Sequence, residues 1–452
     1  MKGWKARTAL FLAGQTVSLF GSSLVQYAIM WHLTLETRSG SVMTGYIIAG
    51  FLPSILLAPF AGVWADRYDR KRLIALADGF IAVVSLAAAF FLRSGVAALP
   101  LFFAVAALRS LGSAVHQPAV GAFLPRIVPR EELMRVNGIN GGIQSALMLV
   151  SPVAAGVLLA VADVPSIFLI DVATAALAIA ILLAFVRERS AATESPTSAG
   201  VTAAAEGSSS AGAAATESPT SAGVTAAAEG SSPAETTSDA ATGHFREILD
   251  GLAYIRGHRY LMSFFRYMGA LFFLVSPAAF LTTVQTARSF GGEVWRLTAL
   301  EIVFSVGMMA GGAAIAAWGG FENRMRTIRL GNLVMAVCTL GLAASPLLPA
   351  PAGFAAYLAF MGAFGIAIPL LNTPSTVLLQ EHVEDAYLGR AFAVFTMVSS
   401  SLMPVAMLVF GPVADIVSVE LVLAVSGSLL LVLGLTALTH KRLMEAGEPV
   451  AR

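Results

Sequence analysis

Charge is scarce in this chain. Of its 452 residues only 12% are Asp, Glu, Lys or Arg, while 57% are hydrophobic. Soluble domains carry roughly 25% charge. The chain has too little to wet a folded surface, which excludes a soluble multi-domain enzyme. Cysteine is nearly absent as well. Cys338 is the one thiol and lies inside an apolar run, so there is no disulfide framework and no cysteine metal site. It reads as a packing residue. His32, His116 and His382 are too scattered for a metal site. Net charge is +1, so no bulk field draws nucleic acid. None of the lysines follows a glycine, and an ATP-driven pump needs the phosphate-binding Gly-Lys-[Ser/Thr] step. No Gly-x-Ser-x-Gly elbow or His-Glu-x-x-His helix is present either, so the chain does not read as an intramembrane enzyme.

What is abundant is apolar sequence, with a mean hydropathy of +0.78. A helix crosses a bilayer in roughly twenty residues, so about 250 apolar residues make about twelve spans. Apolar runs fall at 8–31, 42–64, 73–92, 99–121, 139–161 and 164–186, then at 260–286, 294–318, 327–347, 352–379, 388–412 and 417–439. Runs this long must satisfy their own backbone in lipid, which predicts helices. The first run is too long for a signal h-region, so it reads as a true span. With the N-terminus placed in the cytoplasm, every inner loop carries Lys or Arg, and the outer side receives only Arg38, Arg93, Arg288 and Arg296. That asymmetry predicts both termini inside.

Residues 190–243 are almost entirely Ala, Ser, Thr, Gly, Glu and Pro, with AATESPTSAGVTAAAEGSS starting at Ala191 and again at Ala214. Such composition cannot bury enough apolar surface to offset chain entropy. It predicts a disordered cytoplasmic linker between an N-terminal six-helix half at 1–189 and a second unit at 244–452. Phe245, Ile248, Leu249, Leu252 and Ile255 then recur at helical spacing, which predicts an amphipathic helix on the inner surface ahead of the second half.

The halves repeat one design. Trp64, Arg70 and Arg72 match Trp318, Arg324 and Arg326 at an offset of about 254. Pro118 matches Pro374, while Arg135 and Gly156 match Arg390 and Gly411 at about 255. Matches in register across several spans indicate a duplicated six-helix unit.

The segment Gly62-x-x-Ala65-Asp66-Arg67-x-x-Arg70-Lys71-Arg72 resembles the signature loop between spans two and three of the major facilitator superfamily. Its plan is two parallel six-helix halves with a long linker. Gly138, Leu147, Ser151, Pro152 and Gly156 are similar to the family's antiporter motif, with three of its glycines replaced. Arg109-Ser-Leu-Gly112 resembles its proton-linked arginine motif. A finer resemblance is to the drug-exporter branch containing macrolide-efflux proteins and the enterobactin exporter. It is carried by Ile48–Pro53, Leu124–Leu133 and Glu301–Gly312.

The resemblance implies a conformational latch made by Gly62, Asp66, Arg67 and Arg70 against the start of span eleven, near Leu388 to Arg390. Ionisable residues inside a bilayer are costly and point to function. Arg109 in span four needs a carboxylate, carbonyl or water partner, and reads either as a proton- or substrate-path residue or as half of a structural ion pair. Asp171 and Glu301 lie about seven ångströms below the outer surface at 1.5 Å per residue. An acid there can exchange a proton, or it can stay neutral and helix-bonded. Asp78 reads as structural. Gln15, Gln26, Asn140, Gln144 and Asn372 can line a central cavity or bond between helices.

The expectation is an all-α membrane protein of twelve helices in the bacterial-type plasma membrane, acting as a monomer without cofactor. It would export an amphiphilic, drug-like solute in exchange for protons, with the proton gradient as energy source. The alternatives are a siderophore exporter or a nutrient importer of the same fold, and more remotely a transport-dead sensor.

Overall fold

A computed structural model describes residues 4–96, 99–129, 132–186, 251–437 and 444. The expected linker at 190–243 lies outside the described residues. Twelve helices long and apolar enough to cross a membrane are present among those described. The first six are α1 (Trp4–Thr37), α2 (Gly40–Arg67), α3 (Arg70–Arg93), α4 (Leu99–Ile127), α5 (Leu133–Val161) and α6 (Val164–Phe185). The second six are α7 (Arg259–Gln285), α8 (Val294–Trp318), α9 (Arg324–Ala344), α10 (Ala350–His382), α11 (Asp385–Ile416) and α12 (Val419–Thr436). A π-helical turn, Thr286–Phe290, extends α7. Residues 251–257 form a helical segment with Ile255 buried and Arg256 exposed, on the faces their spacing predicts.

Short polar caps start the helices. Asp69 accepts the Arg72 amide at 2.9 Å, and Asn323 accepts the Arg326 amide at 3.3 Å. The two caps stand about 254 residues apart, so the duplication extends to the turns that begin α3 and α9. The helix pairings repeat too. α1 packs on α5 and α6, α2 on α4, and α3 on α4 and α6. In the same pattern α7 packs on α11 and α12, α8 on α10, and α9 on α10 and α12. The halves meet through α2 against α11 and α5 against α8. We call the side where α1 begins the N-terminal face, and the side carrying the α1–α2, α5–α6, α7–α8 and α11–α12 turns the opposite face.

The core of the second half is built on Phe264, Met268, Leu271, Met335, Tyr357 and Leu378. The first half has two buried clusters. One holds Trp31, Phe102 and Phe168, and the other holds Phe11, Ile74 and Phe123. Cys338 is buried within the second-half core, the packing place expected of it.

Candidate functional site

The halves are fastened at the opposite face. Gly156 of α5 lies directly against Thr298 of α8, and Gly411 of α11 lies against Thr44 of α2. In both places a Cβ on the glycine would overlap the threonine side chain. Thr44 also donates to the Met407 carbonyl across the interface at 2.9 Å. In an apolar medium such small-residue contacts let helix backbones approach closely.

Above the Thr44 contact sits a polar node. The Asp415 carboxylate accepts the Gly40 amide at 2.7 Å, the Ser41 amide at 2.8 Å and the Ser39 hydroxyl at 2.7 Å. A side chain of one half thus caps the α2 N-terminus of the other, where amides and helix dipole both favour an anion. Arg288 locks the cap. It pairs with Asp415 at 2.7 Å and donates to the Arg38 and Ala414 carbonyls. Asp415→Ala is expected to weaken closure by about 1–2 kcal/mol, the usual cost of losing a cap. In a background without Cys338, a cysteine replacing buried Met43 should then react severalfold faster with a membrane-impermeant maleimide. An unchanged rate would show that the node does not hold this face shut.

The first half buries an ion pair between Arg109 of α4 and Asp171 of α6. Arg109 donates to an Asp171 oxygen and to Ser85 of α3, and reaches the Ser22 carbonyl of α1 at 3.3 Å. Asp171 also accepts Ser22 at 3.1 Å and Ser85 at 2.6 Å. Asp171 is 0% exposed. Both carboxylate oxygens and the guanidinium are satisfied, which is the condition for a buried pair to be tolerated.

The second half holds an apolar cavity of about 220 Å³ between α7, α8, α9, α10 and α11. Phe272, Phe304, Met335, Phe364 and Met403 line it, and Asn372 is its one polar side chain. Glu301 lies seven residues into α8, on the same helix as Phe304. Among the described residues it takes part in no ion pair, and its recorded electrostatic neighbour is Tyr27 of α1. A larger pocket of about 420 Å³ lies at the N-terminal face between α1 and α5. Trp4, Lys5, Leu12, Thr16, Arg135 and Ile139 are among the residues around it.

Two parallel six-helix halves around an interface fastened at one face are a transporter architecture. The sequence profile of the major facilitator superfamily matches residues 9–407. The chain belongs to that superfamily. It is 28% identical over 433 residues to macrolide efflux protein A of Streptococcus pyogenes, covering 95% of this chain and 94% of the relative. A shorter match, 28% over 167 residues, joins 36% of this chain to 41% of the staphyloferrin A transporter of Staphylococcus aureus. The xylose transporter XylE from E. coli, in an inward-open conformation, superposes with a TM-score of 0.62. It is 12% identical, with 97% of this chain and 96% of that one covered.

The superfamily's signature residues fall at the N-terminal end of the interface. Gly62 and Asp66 belong to α2, but the surroundings of both lie outside what the structure describes. Arg67 is exposed in the last turn of α2, and Arg70 opens α3. The expected partner segment of α11 packs on the 251–257 helix. Tyr387 stacks on Tyr254 with ring centroids 4.4 Å apart, and Arg390 lies against Gly251.

Of the antiporter-like motif, Gly156 forms the α5–α8 contact and Gly138 faces open space. Ser151 and Pro152 are buried within α5, and the Ser151 hydroxyl is without a recorded partner. The fold joins Arg109 to Asp171, and among the described residues Glu301 makes no ion pair with Arg109. Asn372 lines the second-half cavity. Gln15 is buried, Gln26 and Gln144 are exposed, and Asn140 is half-buried. Asp415, Arg288, Thr44 and Thr298 were missed by sequence reasoning. The threonines were findable, since they repeat at an offset of about 254, as their glycine partners do at about 255.

Proposed function

We propose that this chain exports lipophilic, drug-like solutes across the bacterial plasma membrane by alternating access, driven by proton antiport. The cavity of the second half carries the reading. Three phenylalanines and two methionines around a single Asn372 make a deformable apolar surface with little hydrogen-bonding code. At about 220 Å³ it would take one apolar arm of a large amphiphile. The similarity to macrolide efflux protein A along nearly the whole chain supports the same substrate class.

In this reading the N-terminal face, rich in Lys and Arg, is cytoplasmic, and both termini lie there. The face fastened by Asp415, Arg288 and the two glycine–threonine contacts is then the outer one. The α1–α5 pocket would receive solute from the inner leaflet. Glu301, an acid without an ion-pair partner on a cavity-lining helix, offers a place where a proton and a cationic solute exclude one another.

The test is accumulation of a macrolide and a lipophilic cationic dye in efflux-deficient bacteria. Wild type is expected to lower both severalfold. A protonophore should restore both, and Glu301→Gln should restore chiefly the cationic dye. Unchanged accumulation of both compounds, with the protein confirmed in the membrane, sinks the drug-export reading. The partial similarity to the staphyloferrin A transporter favours one second reading, siderophore export, and release of staphyloferrin A from the same cells is its assay.

A further inference from the structure

The first half contains a second buried acid for which export as described has no task. Asp78 of α3 stands seven residues before Ser85, and His116 of α4 stands seven residues after Arg109. Seven residues are two helical turns, roughly 10 Å. The Asp78–His116 pair therefore lies two turns nearer the N-terminal face than the Arg109–Asp171 pair. α1 serves both levels from one face. Ser18 donates to Asp78 at 3.1 Å, and Ser22, one turn on, donates to Asp171 at 3.1 Å.

The two levels are satisfied differently. Asp171 has donors on both oxygens and a cation that proteins do not deprotonate. Asp78 has Ser18 on one oxygen, and its Oδ2 has no hydrogen-bond partner. The Nε2 of His116 lies 3.3 Å from Asp78 Oδ1, likewise without a hydrogen bond. Asp78 is 3% exposed and His116 is 5% exposed. Buried polar atoms without hydrogen bonds are expensive. A proton on His116 Nε2 directed at Asp78 would satisfy both groups. The level above is a fully bonded ion pair, whereas this one has hydrogen-bonding capacity left over.

Among the described residues, α1 to α6 carry no other titratable group at the level of this pair. α1, α2 and α3 pack on α4. α1 has no titratable residue between Arg7 and Tyr27, and α2 has none between Tyr46 and Asp66. α3 has only Asp78 between Arg72 and Arg93, and α4 has only His116 between Arg109 and Arg126. α6 contributes Asp171 alone and α5 contributes Arg135 alone. Pro118, two residues beyond His116, cannot donate to the Ala114 carbonyl, so α4 is free to bend beside the pair.

We propose that His116 and Asp78 carry the transported proton at a place the solute never enters. The proton is taken from water in one orientation of the halves and returned to water in the other. This inference rests on the antiport reading above. It adds that neutral solutes are coupled to proton movement as firmly as cationic ones, because their coupling does not depend on competition at Glu301.

Full-length protein in proteoliposomes with an internal pH dye tests it. Solute-induced proton flux and solute counterflow at equal pH are measured for wild type, His116→Gln and Asp78→Asn, with one neutral and one cationic solute. Each variant is expected to lower the ratio of proton flux to counterflow about tenfold for both solutes. Each should also flatten the pH dependence of gradient-driven transport. A packing role would reduce flux and counterflow together and leave the ratio and pH profile unmoved, and that overturns the proposal. If His116→Gln folds poorly, His116→Asn supplies the same ratio. A wild type without solute-induced proton flux defeats the antiport reading and this inference with it. A coupled wild type with equally coupled variants defeats this inference alone.

Discussion

Arg109→Leu will cost this protein about 3–5 kcal/mol, the range for removing one partner of a buried ion pair. The reason lies in what is left behind. Asp171 is fully buried, and in the variant it keeps only the Ser22 and Ser85 hydroxyls. Two neutral donors do not replace a cation in a medium of low polarisability. The acid must either stay charged at that cost or take up a proton and lose the geometry built around it. The expected readout is a large fall in melting temperature in detergent and loss of most of the monodisperse protein. The double variant Arg109→Leu/Asp171→Leu removes the orphaned charge together with its partner. It should recover much of the loss, since apolar replacements of buried pairs are often neutral. A single variant as stable as wild type would show that the pair is not ionised in the membrane.

Gly411→Leu will reduce transport at least about tenfold while leaving the protein in the membrane. The substitution sits at a moving interface rather than in the core of one half. A side chain there collides with Thr44 and with the Gly40 backbone, so α2 and α11 cannot close on the opposite face. Overpacked contacts cost about 1–3 kcal/mol, and here the cost falls on one conformation only. A bias of that size changes the ratio of the two orientations by about five- to more than a hundredfold. Gly156→Leu should do the same through Thr298. Two measurements decide the matter, solute counterflow and disulfide trapping between cysteines placed across the opposite face. Undiminished counterflow in both variants would mean that closure at these glycines is not part of the cycle.

Much of the fold was legible because a bilayer constrains it so tightly. Twelve apolar windows gave twelve helices, since nothing else long and apolar satisfies its backbone in lipid. The ends were less legible. α1 runs from Trp4 to Thr37, past its apolar window on both sides, and α5 begins at Leu133, before the window at 139. Helical hydrogen bonding continues through Lys5, Glu36 and Asn137, whereas a hydropathy window stops at them.

At the site, single residues were legible and partnerships were not. Arg109 and Asp171 each stood out as a charge in an apolar run. Their union depends on how α4 and α6 both meet α3, which no spacing encodes. Asp78 and His116 were set aside, one as too near the charged loop and the other as a scattered histidine. Only packing brings them to 3.3 Å. Nothing in the sequence around Asp415 singles it out. Its meaning comes from the α2 amides, which belong to a segment about 375 residues away in sequence.

The paired contacts at the opposite face bear on the origin of the molecule. Gly156 of the first half meets Thr298 of the second, and Gly411 of the second meets Thr44 of the first. When residue i of one unit touches residue j of its mate, and j touches i in return, the interface is isologous, the signature of a twofold dimer. An ancestral six-helix chain carrying one such glycine and one such threonine would have made both contacts by pairing with a copy of itself. Joined in one polypeptide, two such units would keep both contacts while the rest of each half is free to differ. One kept a buried arginine, histidine and two aspartates, while the other became a greasy pocket.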